Sequence, residues 1–428
     1  MAITKGDRKT INAWTFYDWA NSSYPLVIST AIFPIFFERV TSKTLPDGTL
    51  FDKVNFLGFE LVNTELYSYI VSLSFLVVVL TSPVLSGIAD FTGKKKRFMQ
   101  FFCYLGALST ASLYFFDPNH LELSMLSVFF ASLGFWGSLV FYNAYLPEIA
   151  EPQEHDRVSA QGFALGYFGS ALLLILNLIA IMVFGMDSRI SFITVALWWA
   201  GFAQISFARL PNSDKNGTPN RKVILNGFRE ISHVWKEIGN YPSLKRFLGS
   251  FFFYSMGVQT VMLMAVLFAK KEIKGLDDSS LIISVLLIQF LGVAGSYLFS
   301  FSSRFIGNIK TLGISLFLWV LICVGTYLFV YTPTGFYFVA CAVGLVMGGI
   351  QALSRSTYSK LLPDTEDHAS YFSFYDISEK VGIVIGMLSF GFIEGLTGGM
   401  RNSILALITF FVIGFLILLT IPKSKHVR

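Results

Sequence analysis

The chain has 428 residues, 54% of them hydrophobic and 16% aromatic but only 14% charged, where a soluble domain carries about 25% charge. The charges are bunched between long apolar runs, which excludes a soluble globular protein and gives a polytopic membrane protein. The net charge of +5 then reports sidedness, and no nucleic-acid partner is expected.

A membrane span needs roughly 20 apolar residues to cross ~30 Å of hydrocarbon. Such runs occur twelve times, at 12–37, 65–89, 98–116, 123–146, 158–184, 190–210, 245–269, 280–302, 310–330, 336–357, 371–393 and 402–421. The basic start MAITKGDRKT is not expected to be a cleavable signal, because the run behind it holds Asp18, Asn21 and Pro25 and more spans follow. In that first run Asp18, Asn21 and Ser22 stand at i, i+3 and i+4, on one face that should turn from lipid into the bundle. Tyr17, Tyr24 and a break at Pro25 extend the strip. Between runs two and three lies GIADFTGKKKRF, 87–98. Gly87 permits close helix approach, Gly93 a tight turn, and Asp90 can accept hydrogen bonds from a helix N-terminus, with Lys94 and Lys95 following. Run four ends with Tyr142 and Asn143, further candidates for a polar path.

The 211–244 connection divides six runs from six. Within it Ile224, Phe228, Ile231, Trp235 and Ile238 form one apolar helix face, with Arg229, Lys236 and Glu237 elsewhere on the wheel, as expected of a helix lying on the inner leaflet or tethering two halves. Gln259 lies in run seven. The loop SSRFIGNIK between runs eight and nine keeps only Arg304, Gly307 and Lys310 of the earlier pattern, a degenerate copy. Gln161 and Gln351 read as interhelical hydrogen-bond glue, and Arg355, near the end of run ten, is expected to snorkel to the surface. Run eleven carries Tyr375, Asp376, Glu379 and Lys380. A lone charge in a span costs ~2.5–3.5 kcal/mol on insertion scales. Asp376 and Lys380, at i and i+4, are either a self-neutralised structural couple or substrate ligands, and one carboxylate stays in excess.

The termini, the even-numbered loops and the run ends beside them hold 23 of the 32 basic residues, which puts both termini on the cytoplasmic side. The loops after runs four and ten both open Leu-Pro-acid and carry one histidine, His155 or His368. Internal repetition of six runs is the mark of alternating-access transporters. Cys103, Cys323 and Cys341 all lie in apolar runs, so no disulfide framework follows. All five histidines are assigned to loops or the tail, which argues against a histidine proton relay. No HExxH, GxSxG or P-loop occurs, so an enzyme, a cofactor or a metal site is not expected.

The 87–98 loop resembles the signature of the major facilitator superfamily. In that superfamily the signature latches two halves on the cytoplasmic side in the outward-facing state, and span one lines the central cavity. YDWANSSY, YNAYLPEIA and FYDISEK, in that order, resemble one branch, the autophagy-related vacuolar effluxer-like group, along essentially the whole chain. The resemblance implies an all-α integral membrane fold of twelve transmembrane helices in two pseudo-symmetric six-helix bundles. Its fungal members are linked to amino-acid export from the vacuole, and bacterial members mostly lack an assigned substrate.

The expectation is therefore a first bundle over 1–210, a linker over 211–244 and a second bundle over 245–428. The solute path is assigned to Tyr17, Asp18, Asn21, Ser22, Tyr24, Tyr142, Asn143, Gln259, Tyr375, Asp376, Glu379 and Lys380, and the latch to Gly87, Asp90, Gly93, Lys94 and Lys95. A small organic solute, an amino acid first, is the expected cargo of a monomeric secondary transporter, with H+ or Na+ as candidate coupling ions and membrane lipid as its surround. A lipid or amphiphile transporter is the alternative, and a receptor or membrane enzyme a distant one. The short loops point to a bacterial plasma membrane, a vacuolar membrane applying if the source is eukaryotic.

Overall fold

A computed structural model of the chain describes residues 5–44, 50–212 and 232–422. Among the described residues are twelve helical runs long and apolar enough to cross a membrane. They are α1 (Arg8–Thr41), α2 (Asn63–Thr92), α3 (Lys95–Phe115), α4 (Pro118–Ile149), α5 (His155–Phe184), α6 (Ile190–Arg209), α7 (Pro242–Glu272), α8 (Ser280–Ile306), α9 (Asn308–Phe329), α10 (Pro333–Leu361), α11 (His368–Thr397) and α12 (Met400–Leu419). Hydrocarbon offers no hydrogen-bond partner, so these stretches close every backbone bond internally.

The helices overrun the apolar stretches by up to a turn, which corrects the assignment of two histidines. His155 and His368 begin α5 and α11 rather than standing in loops, and His155 is buried. α1 is not broken at Pro25. It widens to a π-helix over Tyr24–Ile32, and the Thr30 hydroxyl donates to the Pro25 carbonyl at 2.8 Å, so the wider turn absorbs the missing N–H. α2 stops where a tight turn was expected, at Gly93 with φ +68°, a conformation glycine adopts without a Cβ clash. Between α1 and α2 the chain adds two small antiparallel hairpins, Lys43–Thr44 with Leu50–Phe51 and Lys53–Phe56 with Phe59–Val62. The second turns through Leu57 and Gly58, both at positive φ, as a two-residue hairpin turn requires.

The packing repeats. α1 packs on α5 and α6, α2 on α4, and α3 on α4 and α6, while α7 packs on α11 and α12, α8 on α10, and α9 on α10 and α12. Adding six to each helix number in the first set gives the second, the signature of two pseudo-symmetric six-helix bundles. The bundles meet chiefly where α5 lies against α8 and α10, and where α11 lies against α2 and α4. Trp14, Trp199 and Trp319 are fully buried, whereas Phe115, Phe184, Phe305 and Phe338 are exposed on the helix surfaces, which suits a hydrocarbon surround.

Of the amphipathic connection, Ile224, Phe228, Arg229 and Ile231 lie outside the described residues. The remainder forms a short helix over 232–239. It docks on α11. Val234 and Ile238 are buried, Trp235 stacks on Phe374 at 6.0 Å, and the Tyr371 hydroxyl donates to Glu237 at 2.8 Å.

Candidate functional site

The first centre is built on Arg355, whose expected position is overturned. It does not snorkel: it lies in α10, only 3% exposed, with its guanidinium inserted into the first bundle. Nη1 and Nη2 donate to Asp18 Oδ2 at 3.1 and 3.0 Å, Nε donates to Ser159 Oγ at 2.9 Å, and Nη2 also donates to the Ser159 carbonyl at 3.0 Å. The Tyr142 hydroxyl donates to the same Asp18 oxygen at 2.7 Å, and Asn143 Oδ1 lies 3.4 Å from Nη1. Phe163, Trp14 and Tyr142 surround the cation, its Cζ lying 4.2, 4.8 and 5.5 Å from their ring centroids. Snorkelling fails for a physical reason. The fork is fully hydrogen-bonded by a carboxylate, a hydroxyl, a backbone carbonyl and the Asn143 amide oxygen, and aromatic faces replace the water it would have sought.

The first run's polar strip splits in two. Tyr17 and Tyr24, seven residues apart, face the interior of the first bundle instead of the interface. Tyr17 packs on Tyr142 and Phe207, Tyr24 on Phe135 and Trp199. Asp18 and Ser22, i and i+4, face α5 at two glycines. A Cβ at Gly162 would strike Asp18 Oδ2 and Arg355 Nη2, and one at Gly166 would strike Ser22 Oγ. Asn21 is buried beside Ser22, its Nδ2 without a partner among the described residues. Gly162→Ala is thus expected to push the ion pair apart and destabilise the chain by about 1–3 kcal/mol. Denaturation of the purified variant beside Gly201→Ala checks this, because a Cβ at Gly201 meets open space.

The second centre lies on α11. Lys380, wholly buried, donates to Asp376 Oδ1 and, at 2.8 Å, to Glu379 Oε2, and Gln259 Nε2 donates to Glu379 Oε1 at 2.6 Å. Its ammonium sits 3.8 Å from the centroid of the Trp136 ring, reaching across to α4 of the first bundle. Asp376 is 3% exposed, and its Oδ2 has no partner among the described residues. Tyr375 stacks on Phe251 at 4.1 Å inside the second bundle. The i, i+4 couple expected from sequence therefore exists, but as part of a larger group with a surplus acid. Gln161 reaches Asn12 at 3.3 Å, and Gln351 accepts a hydrogen bond from Tyr167 of the other bundle, as glue would.

Nearer the face that carries the termini, two networks join the bundles. In the first, Asp90 accepts from the backbone N–H groups of Ala369 and Ser370 at 3.3 and 2.9 Å and from the Ser370 hydroxyl at 3.0 Å, capping the start of α11. Lys95 lies 3.3 Å from Asp90 and also bonds Glu148, which meets His368 at 3.1 Å. Gly87 lies in α2, Gly93 makes the turn that ends it, and Lys94 follows as the residue before α3. The second network was missed, because the loop after α8 had lost its motif. Asp156 of α5 accepts from Ser303 at 2.8 Å, Asn308 at 2.7 Å and Lys360 at 2.7 Å, and Lys360 also donates to Asn308 Oδ1 at 3.1 Å. The signal that could have found it was the acid-rich loop before α5, which repeats the loop before α11.

Comparison with known proteins fits this geometry. The profile of the family described as "Vacuole effluxer Atg22 like" matches residues 6–428. The uncharacterized MFS-type transporter YxiO of Bacillus subtilis is 32% identical, over 97% of this chain and 95% of that protein. Autophagy-related protein 22 of Yarrowia lipolytica is 22% identical, over 87% of this chain and 78% of that one. The crystal structure of the human organic anion transporter MFSD10 superposes with a TM-score of 0.75 at 11% identity, covering 97% of this chain and all of that one (100%), a likeness of fold. The chain is a multi-pass membrane transporter that belongs to the vacuole effluxer Atg22-like family of the major facilitator superfamily.

Proposed function

We propose that the protein moves an amino acid by alternating access, its two halves (1–210 and 245–428, joined by 211–244) rocking about a path between Asp18–Arg355 and Asp376–Glu379–Lys380. One observation carries this reading. Two buried centres, each holding a carboxylate and a cation, lie where the bundles meet, with Arg355 of the second reaching Asp18 of the first and Lys380 of the second reaching Trp136 of the first. A zwitterion has one charge for each kind of group, and it can replace internal partners without leaving a buried charge bare. Tyr142, Asn143, Asn21, Ser22 and Gln259 would set orientation. Tyr17 and Tyr24 support the first bundle from behind.

The lysine- and arginine-rich face carries the termini, so it is assigned to the cytoplasm, in a bacterial plasma membrane. The Asp90 and Asp156 networks then close the cytoplasmic side, and the conformation described is a cytoplasm-closed one. A monomer suffices, because both halves of the path come from one chain.

An amphiphile is a second reading, favoured by one feature. A small apolar cavity in the second bundle is lined by Phe268, Trp319, Phe336, Phe390 and Leu407 among others, a surface that an acyl chain could meet. A thermal-stability screen of the purified protein against amino acids, dipeptides, sugars and lysolipids separates the two. A ligand at 100 times its dissociation constant stabilises by ~2.7 kcal/mol. Stabilisation by an amino-acid class that is lost in Asp18→Asn and Lys380→Ala supports the zwitterion reading. A response only to lysolipids that survives both substitutions refutes it.

A further inference from the structure

We propose that Asp376 is a proton-binding site, taking one H+ on the carboxylate oxygen that has no partner and so coupling solute movement to protons. The proposal rests on the transporter reading above for the coupling, but proton binding itself is measurable without a solute.

The argument starts from a charge count. Asp376, Glu379 and Lys380 together carry one negative charge too many, and they sit eight to twelve residues into α11, ~12–18 Å of rise from its start. No second cation reaches the group from the helices packed on α11, which are α2, α4, α7 and α12. The charged residues of α2 are Glu65 and Asp90, and those of α4 are Glu122 and Glu148, all near helix ends. In α7 they are Lys245, Arg246, Lys270, Lys271 and Glu272, again near the ends. In α12 the charged residue is Arg401, whose guanidinium is held by the carbonyls of Thr326, Tyr327 and Val330. Towards the middle, α4 offers Trp136, and α7 offers Gln259 and Tyr254. Arg355 of α10 is already committed to Asp18.

Of the three intramembrane acids, Asp376 has a fully buried oxygen with no partner among the described residues, and the charge of Asp18 is already matched by Arg355. Asp18 Oδ2 receives two guanidinium bonds and a tyrosine bond. Glu379 is bonded at both oxygens, by Gln259 and Lys380. Asp376 gives Oδ1 to Lys380 and leaves Oδ2 buried and bare. A bare buried carboxylate oxygen in low dielectric is a strong acceptor with a large desolvation penalty. A proton removes the net charge, and the cluster passes from one negative charge to neutral. Lys380 keeps its ammonium, held by Glu379 and the Trp136 face.

The occupant is a proton rather than a metal ion on the same geometry. A hard cation needs several converging oxygens, and among the described residues no group of acids, histidines or cysteines could hold one. A proton needs one lone pair. Coupling follows from the position of Lys380. It bridges the second bundle's acids and the first bundle's Trp136, so a change in Asp376 charge alters a contact that must break when the bundles rock.

The test is infrared difference spectroscopy and proton counting on the full-length protein in detergent, titrated from acidic to alkaline buffer. The wild type should show a protonated-carboxyl band that vanishes on alkalinisation with release of one proton. Asp376→Asn should lack it and Asp18→Asn should keep it, while Glu379→Gln, which removes the surplus charge, should move its loss to lower pH. Lys380→Met, which leaves Asp376 in place, should take up one proton more than the wild type. A band that survives in Asp376→Asn, or that disappears in Asp18→Asn, overturns the assignment. So does the absence of any band in the wild type, an unchanged count in Lys380→Met, or loss of the band on adding sodium at fixed pH. The solute screen can fail while this assignment stands, and the reverse holds too.

Discussion

Arg355→Ala is expected to destabilise the protein by about 3–5 kcal/mol, the range for removing one partner of a buried ion pair. The loss comes less from the vanished attraction than from what remains. Asp18, 5% exposed, would keep its charge with the Tyr142 hydroxyl and no cation. Ser159 would lose both the guanidinium contact to its hydroxyl and that to its carbonyl. Asp18→Asn/Arg355→Gln removes the charge from both sides at nearly constant shape and should recover most of the stability, since neutral replacement of a buried pair is often close to neutral overall. Chemical denaturation in detergent of both single variants and the double gives the coupling energy directly. A loss below about 1 kcal/mol for Arg355→Ala would match an exposed pair. It would return Arg355 to the surface, where its sequence position alone had put it.

The contrast between that sequence reading and the structure shows what a single chain can tell. Hydrophobic run length gave the twelve helices within about a turn, because hydrocarbon thickness constrains each run separately. The Asp90 latch was legible for a related reason: its glycines, acid and lysines are contiguous. Arg355 was not legible. Its partners Asp18, Tyr142, Asn143 and Ser159 come from α1, α4 and α5, and an arginine near a helix end reads as an interface residue until those partners are known. The Asp156 network was hidden because its polar groups stand on four different helices, α5, α8, α9 and α10. Tyr17 and Tyr24 were placed on the path because a polar strip was treated as one face. Aromatic partners on α4 and α6 hold both rings inward.

Asp90→Asn and Asp156→Asn together are expected to open the cytoplasmic side, where either alone shifts it only in part. The expectation follows from arithmetic. Taking a two-state equilibrium from 1:99 to 99:1 requires about 5.5 kcal/mol. Breaking one buried charged network costs about 3–5 kcal/mol in the closed state, and some of that returns when the remaining groups meet water in the open one. One substitution should therefore leave a mixture and two should invert it. Spin labels on Arg209 and Asp364, exposed residues of opposite bundles near this face, would read the change as a shift of the inter-bundle distance distribution. The single variants carry the more pointed comparison. If only the recognisable motif acts as a latch, Asp90→Asn opens the protein and Asp156→Asn does nothing. Asp156 makes three buried bonds of 2.7–2.8 Å across the interface, as strong a set by geometry as the Asp90 cap, so the two single shifts should be comparable. The repeat would then have kept the mechanical function in its second copy while moving the acid from the loop after α8 to the start of α5.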